Sequence, residues 1–413
     1  MISAPEHTST TPIHHPLTMS TITASNCPPI RTRGRFFYQE DKRFLVRGVA
    51  YQTHPIQDAI SDDRLASLKE DIQLFKELGL NTLLVYYIDS TKKHTQAMKL
   101  LEEAGIYVYA MVSTPSNSIN RMAPKESYNP DAMASFFKTV DIMAEFPNTL
   151  GLLVASQLVI KDAMMPVAAV IKAVVRDLKK YMKLKHEAEG QRVLPIGYNA
   201  ATGSARDKKV LAYLTVGSDV ESLDFWTCSH FAGNSTSNNA ESAYRNLIHT
   251  FRKTTLPLFI SEYGNNTRQP RLFNETTALY SPPMSRVFSG GCAYEFWQGA
   301  NAYGLVEILE HGKDKQRPPY KKGYDERKVA EIRKGKRGTL LVFQDFMNYK
   351  ARLADVGGAE EETGAEEAVE GKEEQGESGA EEDSEDWQAG LSVPESCVDW
   401  REVERELRAY KVE

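Results

Sequence analysis

The sequence lacks most of the features that would tie it to a metal, a phosphate or a membrane. Only four cysteines occur in 413 residues, and Cys27, Cys228, Cys292 and Cys397 lie far apart. That spacing excludes a zinc-type cluster and a dense disulfide framework, and it points to unpaired thiols. There is no HExxH, no paired-cysteine motif and no glycine-rich loop after the first predicted strand, so neither a metal nor a cofactor is expected. No run of about 18 apolar residues offers a transmembrane segment. The first thirty residues are polar, rich in Ser, Thr, Pro and His, and lack the apolar centre of a secretory signal. The charged C-terminus has no lipid-anchor tail. As written, the chain reads as soluble and cytoplasmic, and its three sequons (Asn234, Asn265, Asn274) read as chance.

What is present is a large core and an uneven charge. Hydrophobic residues make up 41% of the chain, enough for one large domain. The formal charge is −6, yet Glu360 to Asp386 holds fourteen acids against one lysine, so the remainder is net basic. The expected organisation is a disordered segment over 1–30, a barrel over 31–310, and a basic insertion and docking segment over 311–354. An acidic disordered linker over 355–390 and an amphipathic helix over 391–413 complete it. The basic stretch, Lys313 to Arg337, carries eleven Lys or Arg against four acids. With few interleaved aromatics it reads as a solvated insertion rather than a nucleic-acid surface, and the acidic tail could fold over it. In the terminal segment, Trp400, Val403, Leu407 and Tyr410 recur at spacings of three and four behind the capping candidates Ser396 and Asp399. That helix is expected to dock on its own domain, with a partner protein as the alternative.

Between Phe44 and Trp297, eight short apolar runs alternate with helical patterns: Phe44–Tyr51, Asn81–Ile88, Tyr107–Val112, Leu150–Ser156, Val193–Tyr198, Leu223–Ser229, Leu256–Glu262 and Cys292–Trp297. This is the signature of an α/β fold, a (β/α)8 TIM barrel. Leu65, Leu68, Ile72, Phe75 and Leu78 share a helix face before Gly79, as do Val167, Val170, Ile171, Val174 and Leu178 after Pro166. Catalytic groups in such barrels stand at the C-terminal strand ends. Those ends supply Tyr51, Gln52, Tyr86, Ser156, Gln157, Tyr263, Tyr294 and Trp297 beside Glu262. Aromatic faces among amides and carboxylates suit a sugar. Retaining cleavage of a glycosidic bond needs two carboxyl groups about 5 Å apart. Glu262, at the end of the seventh run, fits the nucleophile, with Tyr263 and Tyr294 near enough to orient it. The fourth run delivers Gln157, an amide that cannot ionise.

Several blocks, in order, resemble the fungal β-1,3-glucanosyltransferases of glycoside hydrolase family 72. They include Phe36-Phe-Tyr38, Val46-Arg-Gly-Val-Ala-Tyr-Gln52, Val85-Tyr86, Ile88-Asp89, Ala104-Gly-Ile-Tyr-Val108, Ser118-Ile-Asn-Arg121, Ser261-Glu-Tyr-Gly264 and Asn301-Ala-Tyr-Gly-Leu-Val306. The resemblance implies a retaining transglycosylase that cuts β-1,3-glucan and joins the piece to another chain, without metal or cofactor, in fungal cell-wall elongation. It makes Glu262 the nucleophile, Tyr51 and Gln52 first-strand rim residues, and Tyr86 and Tyr294 active-site tyrosines. The departures are as informative. Ala155-Ser156-Gln157 stands where the family has Gly-Asn-Glu, Leu84 replaces an arginine, and Met111 replaces an aspartate. Leu68, Ala97, Val216 and Asn265 occupy positions of family cysteines. The expectation is therefore impaired transfer, because general acid/base assistance is typically worth about 10²–10⁴ in rate. The alternatives are a substitute acid at Asp89 or Asp162, a β-1,3-glucan-binding pseudoenzyme, or an intracellular interaction protein.

Overall fold

The structure is a computed structural model that describes residues 25–231, 237–310, 328–356 and 391–410. The expected N-terminal segment as far as residue 24, residues 311–327 of the basic segment and the acidic linker from 357 to 390 lie outside the described residues. Residues 25–30, read as disordered, are instead built into the fold, with Cys27 and Ile30 buried. They lead into a three-stranded antiparallel sheet of β1 (Ile30–Arg33), β2 (Phe36–Gln39) and β3 (Lys42–Phe44).

The eight apolar runs form a closed parallel barrel. Its strands are β4 (Val46–Ala50), β5 (Thr82–Val85), β6 (Tyr107–Met111), β7 (Thr149–Ser156), β8 (Ile196–Ala200), β9 (Phe225–Ser229), β10 (Leu258–Tyr263) and β11 (Gly290–Ala293). Alternation along each strand sorts side chains into two cores. Tyr107, Tyr109 and Met111 of β6 join Leu84, Leu153, Phe225 and Phe259 inside the barrel. Val108 and Ala110 belong instead to the larger core shared with the outer helices. The first sheet plugs the lower end, with the Phe37 ring 5.9 Å from Phe225 and 5.8 Å from Phe259.

The outer layer comprises α1 (Leu65–Leu78), α2 (Thr95–Glu103), α3 (Pro124–Ser127), α4 (Pro130–Ala144), α5 (Val167–Glu189), α6 (Ala205–Thr215), α7 (Ser237–Phe251), α8 (Asn274–Leu279) and α9 (Pro282–Ser285). The α1 stripe buries Leu68, Ile72, Phe75 and Leu78, and the helix stops at Gly79, whose φ of 74° is left-handed. Helix α4 begins with Pro130 in its first turn, where Asn129 accepts a 3.0 Å hydrogen bond from the Ala132 N–H.

After the barrel, β12 (Val306–Glu310), β13 (Val329–Lys334) and β14 (Gly338–Phe343) form a second antiparallel sheet, followed by α10 (Gln344–Asp355). The part of the basic stretch that is described is not a solvated insertion. Arg333 meets Glu77 at 2.7 Å, Arg337 meets Glu70 at 2.7 Å and also Asp71, and Lys350 meets Glu77 at 3.0 Å. Helix α1 thus supplies the acids for Arg333 and Arg337 of this stretch and for Lys350 beyond it. The terminal helix, α11 (Trp400–Tyr410), packs on α5.

Candidate active site

Strand β10 carries the central carboxylate. Glu262 is 7% exposed, at the C-terminal end of the barrel. Its Oε1 accepts a hydrogen bond from Tyr86 at 2.5 Å, and its Oε2 accepts one from Ser229 at 3.0 Å. Burial pushes the carboxyl above the ordinary glutamate range, the two hydroxyls pull it back, and the charge of Glu295 pushes it further up. Among the described residues no cation pairs with it. Leu84 and Met111, which take the place of charged residues in the resemblance, are buried in the apolar interior beneath the site. Asp89 and Asp162 are occupied elsewhere, the first by Thr91 and the second by Arg206 at 2.6 Å.

Gln157 follows β7 with a positive φ of 52°, a conformation uncommon outside glycine. Its N–H donates to the Asn199 carbonyl at 2.7 Å, and its Nε2 donates to Ser229 at 2.9 Å. Ser229 therefore accepts from the amide and donates to the carboxylate. Two such hydrogen bonds in series hold the side chains of Gln157 and Glu262 at most about 6 Å apart, close to the carboxyl spacing of retaining glycosidases. Asn199 fastens the strand ends below, donating to Ser156 at 2.8 Å and accepting from Thr227 at 3.0 Å and Ser261 at 2.6 Å. Ser156 also lines a cavity of about 500 Å³ with Met111, Ser118, Ile119, Arg121 and Ala155.

A second cluster joins this one from β4 and the segment after β11. Gln52 donates to Tyr294 Oη at 3.2 Å and to Glu295 Oε2. His54 Nε2 lies 3.0 Å from the same oxygen, and its ring needs the space left by Gly299, where a Cβ would lie 2.8 Å away. Glu295 is fully buried, and its Oε1 has no hydrogen-bond partner. Arg271, buried against Asp345 at 2.6 Å, donates to the backbone carbonyls of Gly264, Tyr294 and Tyr303 and so fixes the loops around Tyr294.

The structure thus brings Glu262, Gln157, Tyr86, Gln52, Ser156 and Tyr294 to the barrel mouth. It does not bring Tyr51, Tyr263 or Trp297 there. Tyr51 turns outward to Asp71 of α1 at 2.7 Å and packs on Phe75. Tyr263 also turns outward, with its hydroxyl donating to Tyr349 at 3.3 Å and accepting from Thr276 at 3.1 Å, so it does not orient Glu262 through its side chain. Trp297 lies under the Arg337 guanidinium, 5.2 Å from the ring centre. The reason is strand parity: each is adjacent to an inward-facing residue, or lies beyond the strand end. Ser229, Asn199, Arg271 and Glu295 form the supporting network. Asn199 and Ser229 stand at strand ends that the sequence already marks, whereas Arg271 carries no such signal and the run Cys292–Trp297 holds Glu295 without signalling it.

A closed parallel barrel with a buried glutamate hydrogen-bonded at its C-terminal mouth defines a protein of the TIM-barrel class. The chain belongs to the glucanosyltransferase family, glycoside hydrolase family 72, whose model matches residues 19–330. It is 40% identical over 283 residues to the 1,3-β-glucanosyltransferase gel1 of Aspergillus fumigatus, covering 68% of this chain and 61% of the relative. It is 36% identical over 295 residues to the 1,3-β-glucanosyltransferase GAS5 of Saccharomyces cerevisiae, covering 69% and 59% respectively. The chain thus spans about three fifths of the length of these relatives. The crystal structure of Gas2 from Saccharomyces cerevisiae with laminaritriose and laminaritetraose superposes with a TM-score of 0.68 at 30% identity, covering 80% of this chain and 69% of Gas2. No helix among the described residues is long and apolar enough to cross a membrane.

Proposed function

We propose that the barrel mouth binds β-1,3-glucan and that Glu262 is the nucleophile of a retaining glucanosyl transfer, slowed because Gln157 occupies the acid/base position. The observation that carries this reading is the chain Glu262–Ser229–Gln157 across the mouth. In the forward step the Glu262 carboxylate bonds to the anomeric carbon while the glycosidic C–O bond breaks. The leaving oxygen then departs as an alkoxide that takes its proton from water, because the Gln157 amide can donate a hydrogen bond to it but cannot release a proton. Relatives named as 1,3-β-glucanosyltransferases and Gas2 complexes with laminari-oligosaccharides support glucan as the ligand. A glutamate-to-glutamine variant of Gas2 holds laminaritetraose and laminaripentaose, so such an exchange in this fold is compatible with glucan binding.

A second reading, glucan binding without turnover, is favoured by one observation: Asp89 and Asp162 are both committed to other partners. We place the protein in a reducing compartment on the support of its free, mostly buried thiols. Incubation with reduced laminari-oligosaccharides separates the readings. Longer products mark a transferase, whereas calorimetric binding without products marks a glucan-binding protein. Absence of both refutes glucan as the ligand and leaves the barrel as a scaffold for protein interaction through the tail and terminal helix.

A further inference from the structure

The segment from Pro394 to Trp400 closes a buried polar cluster on the outside of the barrel. Asp177 of α5 is 1% exposed, and its carboxylate accepts from Tyr128, from Arg176 Nε at 2.9 Å and from Ser396 at 2.8 Å. Arg176 extends the cluster by donating to the Pro394 carbonyl at 2.9 Å and to Tyr128 Oη at 3.1 Å. Ser396 is held in turn by the Trp400 indole N–H at 2.9 Å. The Trp400 ring lies 6.2 Å from Phe137 of α4, with Lys180 Nζ 4.2 Å from its centre. A carboxylate this buried needs its donors, and one of them comes from a segment more than two hundred residues away in sequence.

Tyr128 also ends the segment 118–128, whose first residues line the cavity beside Ser156. Its neighbour Ser127 accepts the Asn120 N–H at 2.9 Å, and Asn120 accepts the Met122 N–H at 2.9 Å through its side chain. Ile119, Asn120 and Arg121 line the cavity shared with Ser156. Residues 394–400 therefore touch, through Asp177 and Tyr128, the base of the segment that lines this cavity.

We propose that residues 394–400 form a strap that positions the loop 118–128, with Ser396 and Trp400 as its positioning residues. The terminal segment then governs how well the site holds its ligand without contacting it. This role rests on the glucan-binding reading only for its last readout. Releasing the strap leaves Asp177 short of a donor and lets Tyr128 and the loop above it move more freely.

The test uses the full chain carrying Ser396→Ala, Trp400→Ala, the hydroxyl-preserving Ser396→Thr, and Arg401→Ala as an exposed control. Hydrogen exchange is followed at 118–122, with β5 as a distant comparator. The expected result is exchange faster by roughly tenfold at 118–122 for the two alanine strap variants, as for a segment moved toward the less protected end of the native state. Strand β5, Ser396→Thr and Arg401→Ala should remain near wild type. Unchanged exchange at 118–122 in both alanine strap variants overturns the strap. Equal acceleration in β5 and the loop marks global loosening and overturns it as well. Laminaripentaose affinity should fall several-fold with the loop and return with Ser396→Thr. If no form binds laminaripentaose, the glucan reading fails while the exchange data still decide the strap.

Discussion

Two buried carboxylates near the barrel mouth have almost the same surroundings and opposite consequences. Asp71 and Glu262 each accept a hydrogen bond from a tyrosine, Tyr51 in one case and Tyr86 in the other, and burial pushes both above the ordinary carboxylate range. Asp71, outside the barrel, also has the Arg337 guanidinium. Glu262, inside, has only hydroxyls, over an apolar column and near the charge of Glu295. A carboxylate given a cation joins two layers of the fold. One given only hydroxyls keeps a free-energy cost that an electrophilic ligand could relieve.

The sharpest way to break this comparison is Gln157→Glu. If the inner carboxylate lacks only its acid, transfer on laminari-oligosaccharides should rise by about 10²–10⁴. Product analysis that stays at background would mean that Leu84, Met111 and Ser156 have changed the site beyond repair by one residue.

The next effect is on stability. Asp71→Asn should cost about 3 kcal/mol, the low end for removing one side of a buried pair, because Arg337 keeps Glu70 and some solvent. Glu262→Gln should do the reverse and raise the melting temperature near neutral pH. Its carboxyl has a higher pKa folded than unfolded, so the native state binds more protons between those two values. Stability therefore falls as pH rises through that window, and the glutamine variant should lose this slope. Thermal melts across pH test both halves, and equal destabilisation by the two substitutions would erase the contrast.

The smallest effect sharpens the comparison. Tyr86→Phe removes a hydrogen bond that lowers the Glu262 pKa, so titration of Glu262 followed by NMR should move upward. Tyr51→Phe should leave that titration unchanged and cost only about 1 kcal/mol of stability.

The barrel was legible because its strands fall on or beside apolar runs and crossovers such as α1 and α5 carry a helical stripe, as in Leu68, Ile72, Phe75 and Leu78. Glu262 and Gln157 were legible because they end such runs. The side of the barrel that a tyrosine faces was not. In β10 every residue from Leu258 to Tyr263 is buried, so composition cannot distinguish Glu262, facing in, from Tyr263, facing out. Glu295 was hidden for another reason. It stands among aromatics, and its partners Gln52 and His54 lie more than two hundred residues earlier in the chain. Arg271 and Asp345 meet across a shorter gap of 74 residues, which no local pattern encodes either.

The sheet that plugs the barrel has a consequence for the order of assembly. Phe37 is made early, but its partners Phe225 and Phe259 leave the ribosome about two hundred residues later. At synthesis rates of about 5–20 residues per second, the hairpin waits roughly ten seconds or more for its socket. One of the earliest parts of the fold to be synthesised is thus among the later ones to be sealed, and its aromatic face needs shelter in the interval.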